Sequence, residues 1–250
     1  MGKAAAMATA ATFLESTLFA PLAPHRAPRR VLAIAAHPDD EVLGCGGTLA
    51  LHARAGDEVS AVIACEGESL RYGPGGVGQT DHTRRAAEVL GLVESRQLGF
   101  PDQRLDTLSL LELITPLERV VREVRPTVVY CQFGSDANRD HELLFRAALV
   151  ATRPLEACIE GVYVFDTASS TEWGYPRAFN PDTWVDISET LEQKLCAMAC
   201  YESEVRPYPH PRSLDALRHR GRAWGNQCCM DAAEVFMTVR RTLRRGRMPA

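Results

Sequence analysis

The chain has 250 residues, 46% of them hydrophobic and 24% charged, with a formal net charge of −4 and a pI near 6.0. That length and balance suit one soluble α/β domain. The slight acidity excludes a global pull toward nucleic acid or anionic membrane, and no run reaches the ~18 apolar residues of a membrane span.

Residues 1–29 read as a lead-in, partly helical or flexible. Its apolar part is rich in Ala and Thr and is interrupted by Glu15, with no cleavage pattern after it, so it is not read as a secretory signal. Pro21, Pro24 and Pro28 separate it from a single domain over residues 30–244. The run Val31-Leu32-Ala33-Ile34-Ala35-Ala36 predicts a strand buried on both faces, and it ends in His37-Pro38-Asp39-Asp40-Glu41. One imidazole and three carboxylates in five residues are costly to bury without partners. They place a cleft, and a divalent cation in it, at the end of that strand.

Residues 48–55 read as a helix ending at Gly56, and 58–65 as a second buried strand. Residues 69–79, with five glycines and prolines at Gly73, Pro74, Gly75, Gly76 and Gly78, form an irregular loop long enough to be a flap. A helix over 82–90, a short third strand over 95–98, a helix over 108–124 and a fourth strand over 127–133 follow. Residues 142–152 read as a helix, 161–166 as a fifth strand, 184–186 as a short strand leading into a helix over 187–201. A helix over 231–243, with Phe236 facing inward, closes the domain, and residues 245–250 are a frayed tail. The arginine-rich run from Arg240 to Arg247 is read as solvated. Trp173 and Tyr175 are expected to cover the core, the alternative being to stack on a sugar ring.

The alternation of strand and helix predicts parallel pairing with right-handed crossovers, hence a Rossmann-like, doubly wound α/β fold with a mostly parallel sheet and helices on both faces. In such sheets ligands bind beyond the carboxyl ends of the strands, where strand order reverses, here between the first and fourth strands. The acidic turn after the first strand should therefore face Ser135-Asp136-Ala137-Asn138-Arg139-Asp140-His141 after the fourth. His37, Asp40 and His141 are the expected metal ligands, two imidazoles and a carboxylate with one position open. Gly44, Gly46 and Gly47 do not form the GxGxxG of a dinucleotide loop and indicate close backbone approach or a tight helix start.

These two motifs resemble the PIG-L (LmbE-like) family of metal-dependent N-deacetylases. The resemblance spans most of residues 31–200 and implies one Zn2+ per chain held by His37, Asp40 and His141, with Asp39 as general base. The same ligands suit Fe2+. It also implies a small acetylated sugar or glycoconjugate of the N-acetylglucosamine type as substrate. A thiol-sugar amidase and a non-catalytic binding module of the same fold are the alternatives. Many members carry HPDH at the second motif; here it is Asn138-Arg139-Asp140-His141, and an Asn cannot deliver a proton.

His210, between Pro209 and Pro211, is expected to reach the cleft as acid or oxyanion contact, with Arg212 beside it. Glu41, Asp140 and Asn138 are expected behind the ligands; Asp136 and Asp140 are the candidates to hold His141 or to balance Arg139, Asp140 ahead of Asp136. Glu66, Glu68, Arg71 and His82 are candidate substrate contacts. Eight cysteines without CxxC spacing read as free thiols of a reducing, cytoplasmic compartment. A homo-oligomer is left open.

Overall fold

The computed structural model describes residues 27–69, 72, 78–155, 158–176 and 178–243. The lead-in up to residue 26, Arg71, most of the expected flap and the tail lie outside the described residues. Seven strands form one sheet in the order β3-β2-β1-β4-β5-β7-β6, where β1 is Arg30–Ala35, β2 Glu58–Cys65, β3 Glu94–Phe100, β4 Val128–Gln132, β5 Gly161–Phe165, β6 Thr183–Asp186 and β7 Ala233–Arg241. β1 pairs in parallel with both β2 and β4, so the reversal of strand order falls between β1 and β4 as predicted. β3 and β5 extend the parallel part.

β7 overturns the helix expected over 231–243. It runs antiparallel to β5 on one side and β6 on the other, which places Arg240 and Arg241 in a strand rather than a solvated tail. Its run Val235-Phe236-Met237-Thr238-Val239 is rich in β-branched and aromatic residues, and two neighbouring strands supply hydrogen bonds along it. Phe236 is fully buried, as expected, but as a strand residue.

Helices cover both faces. α1 (Asp40–Arg54), α2 (Gln79–Leu90), α5 (Leu191–Ala199) and α6 (Leu214–Asn226) contribute to the core that contains Val31 and Ala33, while α3 (Leu110–Val124) and α4 (Arg139–Ala151) cover Leu32 and Ile34. Alternate residues of β1 thus face opposite cores. α1 starts eight residues earlier than the sequence pattern suggests, because its glycines serve contact rather than a turn. A Cβ at Gly44 would collide with the Phe165 ring, and one at Gly47 would lie 2.9 Å from Ile187.

α1 is kinked at Cys45 (φ −140°, ψ 16°), and a buried ion pair satisfies the backbone freed there. Lys194 donates to Leu43 O at 2.8 Å and to Glu234 at 2.6 Å. Glu234 accepts the N–H groups of Gly47 and Thr48 at 2.9 and 2.7 Å. The clasp ties the helix that begins at Asp40 to β7 and α5. All eight cysteines are free thiols, and Cys45, Cys65 and Cys131 are buried. No helix among the described residues is long and apolar enough to cross a membrane.

Candidate active site and metal centre

The turn after β1 delivers His37, Asp39 and Asp40, and the first turn of α4 delivers His141. All four are buried. Asp40 Oδ2 accepts the His37 backbone N–H at 2.9 Å, which closes the turn and aims its carboxylate back at the imidazole. His37 Nδ1 lies 3.3 Å from Asp40 Oδ2, His141 Nε2 lies 3.2 Å from the same oxygen, and the two ring nitrogens are 3.3 Å apart. Ligand atoms about 2.0–2.1 Å from one tetrahedral centre stand about 3.3–3.4 Å from each other. The donor set therefore fits a small tetrahedral cation, and its two neutral imidazoles with one carboxylate suit zinc or another divalent first-row ion.

The far nitrogens are fixed by carboxylates. His37 Nε2–H donates to Asp140 Oδ2 at 3.1 Å, and His141 Nδ1–H donates to Asp136 Oδ2 at 2.7 Å. This corrects the expectation for Asp140, which holds His37; Asp136, one turn before His141, holds His141. Such partners set the tautomer and leave the opposite nitrogen for a metal. Burial lowers both imidazole pKa values but is outweighed by these carboxylates and Asp40, so His37 is raised well above its ordinary value and His141 to about 9. Burial likewise opposes ionisation of Asp40, yet the two histidines hold its carboxyl far below the usual range.

Asp39 occupies the N-cap position of α1 at φ 107°, in the left-handed region, and makes no side-chain cap bond. Its carboxylate lies on the wall of a cavity of about 140 Å³, with His37, Asp40, Asn138, His141, Ser170 and Arg212. Burial and the Asp40 charge push its pKa well up, against the pull of Arg212, whose Nη1 is 3.4 Å away. Arg212 is itself held by Glu204 at 2.6 Å. Asn138 caps α4 through Asp140 N at 2.9 Å and approaches Gln103 at 3.4 Å.

Several expected contacts are spent elsewhere. Glu41 accepts a hydrogen bond from the Tyr201 hydroxyl at 2.6 Å instead of orienting a ligand histidine. His210 does not line the cavity. Its Nδ1 accepts the Arg212 N–H at 3.1 Å and its ring meets Trp173 edge-on, so it shapes the loop that carries Arg212. Glu66 accepts backbone N–H groups of Glu68, Ser69 and Asp102, and Glu68 accepts that of Gln79 at the start of α2. Their carboxylates organise the loop after β2. His82 is buried against the edge of the Tyr201 ring, away from the cavity wall. Arg71 lies outside the described residues.

The sequence reading missed the loop after β3. It brings Asp102 to 3.6 Å and Gln103 to 3.1 Å from His37 Nε2, with Gln103 at φ 53°. A Pro-Asp pair directly after a strand at the same sheet edge is the signal that could have marked it. Thr167 and Ser170, after β5, were missed for want of any motif.

Comparison with known proteins places this geometry. The family model described as PIG-L, GlcNAc-PI de-N-acetylase, matches residues 32–152, which carry both metal-site motifs. The chain is similar to an uncharacterized deacetylase, YaiS, of Escherichia coli K12, 34% identical over 179 residues that cover 69% of this chain and 90% of that one. It is also similar to a diacetylchitobiose deacetylase of Thermococcus kodakarensis, 27% identical over 190 residues, covering 70% of each. Among solved structures, the conserved protein TT1542 of Thermus thermophilus superposes with a TM-score of 0.70 at 28% identity, over 89% of this chain and all of that one. GalB, a 4-carboxy-2-hydroxymuconate hydratase of Pseudomonas putida KT2440, superposes at 0.66 and 22% identity over 86% and 98%, a likeness of fold alone. The family model's match over both motifs and the likeness to YaiS along nine-tenths of its length agree, and the chain belongs to the PIG-L family.

Proposed function

We propose that this chain is a zinc-dependent hydrolase that removes the N-acetyl group from an N-acetylglucosamine-type sugar or conjugate. The observation that carries it is the close set of His37 Nδ1, Asp40 Oδ2 and His141 Nε2 with the carboxylate of Asp39, beside Arg212 at 3.4 Å, on the same cavity wall. The family description and the deacetylase relatives supply the reaction and the sugar class.

His37, Asp40 and His141 would hold the metal. When bound there it supplies a Lewis acid for the amide carbonyl and lowers the pKa of water toward ~7. Asp39 takes the proton of the attacking water, a task for which its raised pKa makes it a stronger base. With Asn138 in place of a proton-donating residue and His210 outside the cavity, the same Asp39 carboxyl then returns the proton to the departing amine. Arg212 restrains that carboxylate and brings a permanent positive charge to the cavity, where charge develops on the carbonyl oxygen. Asp136 and Asp140 keep the two imidazoles in their ligating tautomers. The free thiols support a cytoplasmic location.

The test is metal content beside amine release from N-acetylglucosamine derivatives, for the natural chain and Asp39→Asn. About one zinc per chain, with activity that falls about 10²–10⁴-fold in the variant while the metal stays, supports the assignment. Failure to bind a divalent metal at neutral pH would refute it. Metal without amine release from any acetylated sugar would point to another reaction on the same fold.

A further inference from the structure

The cavity at the metal site is small. Its ~140 Å³ falls below the ~300–1,000 Å³ of pockets that enclose a whole small ligand, so it takes one arm of a sugar and leaves the remainder on the rim. Part of its wall is the segment from Thr167 to Ser170. Thr167 Oγ1, Ser170 Oγ and Arg212 Nε are buried and have no hydrogen-bond partner among the described residues. Unpaired buried polar atoms are costly, and three around one cavity are accounted for by a ligand rich in hydroxyl and amide groups.

The same segment runs directly into an aromatic rim. Trp173 is 58% exposed, Tyr175 97% and Tyr208 61%, so the first two do not cover the core as expected from sequence. These three are all the large aromatic side chains that stand exposed among the described residues. The exposed aliphatic ones, such as Val93, Leu110, Leu111 and Leu155, belong to other elements. Two loops carry the rim, and each also contributes to the cavity wall, one through Ser170 and the other through Arg212. They meet where Trp173 packs edge-on against His210, with ring centroids 6.3 Å apart.

The rim is held in place despite its exposure. Thr171 N–H donates to Thr167 O at 2.9 Å, Thr167 N–H donates to Thr171 Oγ1 at 2.8 Å, and Glu172 accepts the N–H of Ser169 at 2.9 Å. Gly174 packs so tightly on the metal-site loop that a Cβ would stand 3.1 Å from Ser135 O. Trp173 therefore keeps a fixed position relative to His141 and Asp136.

We propose that residues 167–175 together with Tyr208 form a saccharide-binding edge. Thr167, Ser170 and Arg212 hydrogen-bond the ring that carries the acetamido group, and Trp173 with Tyr208 stacks on a second sugar ring joined to it. Amphipathic rings with polar tips, flanked by the short exposed rings of Pro176, Pro207 and Pro209, suit the face of a pyranose better than an acyl chain. This inference rests on the deacetylase reading and narrows its substrate to saccharides of two or more rings.

The experiment compares kcat/KM for amine release from N-acetylglucosamine, its β-1,4-linked trimer and its octyl glycoside, for the natural chain, Trp173→Ala and Tyr208→Ala. Both substitutions are at exposed positions. The trimer is expected to be the best substrate, and each variant to lower the trimer-to-monomer ratio by about three- to tenfold, the range of one aromatic contact. An unchanged ratio in Trp173→Ala, or an octyl glycoside that surpasses the trimer, would overturn the proposal. Trimer binding to zinc-loaded Asp39→Asn, followed by calorimetry, separates the two readings. Binding that Trp173→Ala weakens, with no amine release by the natural chain, keeps the saccharide edge and removes the deacetylase. Absence of trimer binding removes the edge.

Discussion

Glu41 lies 3% exposed with one oxygen, Oε1, on the Tyr201 hydroxyl and the other, Oε2, without a partner among the described residues. Burial raises its pKa; the Tyr201 hydrogen bond opposes this and the Asp40 charge adds to it, so that it reaches about 7 from 4.5. Below pH ~4.5 folded and unfolded chains both carry the proton, and the group has no effect on stability. Between ~4.5 and ~7 the unfolded chain ionises first, so stability falls as pH rises. Above ~7 the loss is complete, on the order of 3 kcal/mol at 1.36 kcal/mol per pH unit. Glu41→Gln keeps an acceptor for Tyr201 and removes the charge, but leaves a buried amide N–H pair that costs about 1–3 kcal/mol. Relative to the natural chain, the variant should be destabilised by about that cost at pH 4.5 and should recover on the order of 3 kcal/mol by pH 8. Urea denaturation of metal-free protein at pH 4.5, 6 and 8 reads this directly. A stability difference between the two chains that stays flat across that range would refute the buried-charge reasoning.

Metal uptake should be coupled to proton release. Carboxylates outweigh burial and raise the pKa of both ligand imidazoles in the metal-free chain, that of His141 to about 9, so calorimetry in buffers of different ionisation enthalpy should show net proton release on zinc binding at pH 7.5, with affinity rising with pH; release near zero would contradict that reasoning. Lys194→Met leaves Glu234 buried without its cation and should cost about 3–5 kcal/mol in urea denaturation, whereas Lys194→Met combined with Glu234→Gln should recover part of that loss. Asp39→Gly relieves a left-handed backbone that costs about 1–2 kcal/mol and should raise the thermal midpoint of the metal-free protein while abolishing amine release. A lower midpoint would mean that Asp39 is held there for stability.

What was legible in the sequence was whatever is encoded locally. The unbroken apolar run of β1 gave a strand buried on both faces, and the clustering of charge directly after it gave the site, because no other place in an open sheet tolerates such a turn. Strand-helix alternation then placed the second acidic loop across from it. What was not legible depends on partners far along the chain. β7 is a strand because β5 and β6 both lack a neighbour, and its Glu234 is buried only because Lys194 and the kink in α1 are there to meet it. α6 was given no range from the sequence, although Ser213 caps it through Ala216 N at 3.1 Å. That Asp136 meets His141 while Asp140 meets His37 has the same origin. Both carboxylates lie within five residues of His141, and only the path of the loop before α4 decides which ring each one meets.

The two helix starts that face each other across the switch point show how the site separates structure from chemistry. Asn138 precedes α4 in extended conformation, at φ −93° and ψ 122°, and its side-chain oxygen caps the Asp140 N–H. Asp39 precedes α1 in the equivalent place, and Asp is among the best capping residues, yet it caps nothing. Its φ of 107° turns the residue out of the capping geometry, and its carboxylate lies on the cavity wall, beside Arg212. A cap bond would have stabilised the helix by about 1 kcal/mol, and the left-handed backbone costs about as much again. Strain at one residue of an active-site turn, with the stabilising alternative one rotation away, is expected where the side chain is needed elsewhere. Asn138, which cannot carry a proton, keeps the structural task, and Asp39, whose buried carboxyl can both take and return one, is left free for the reaction.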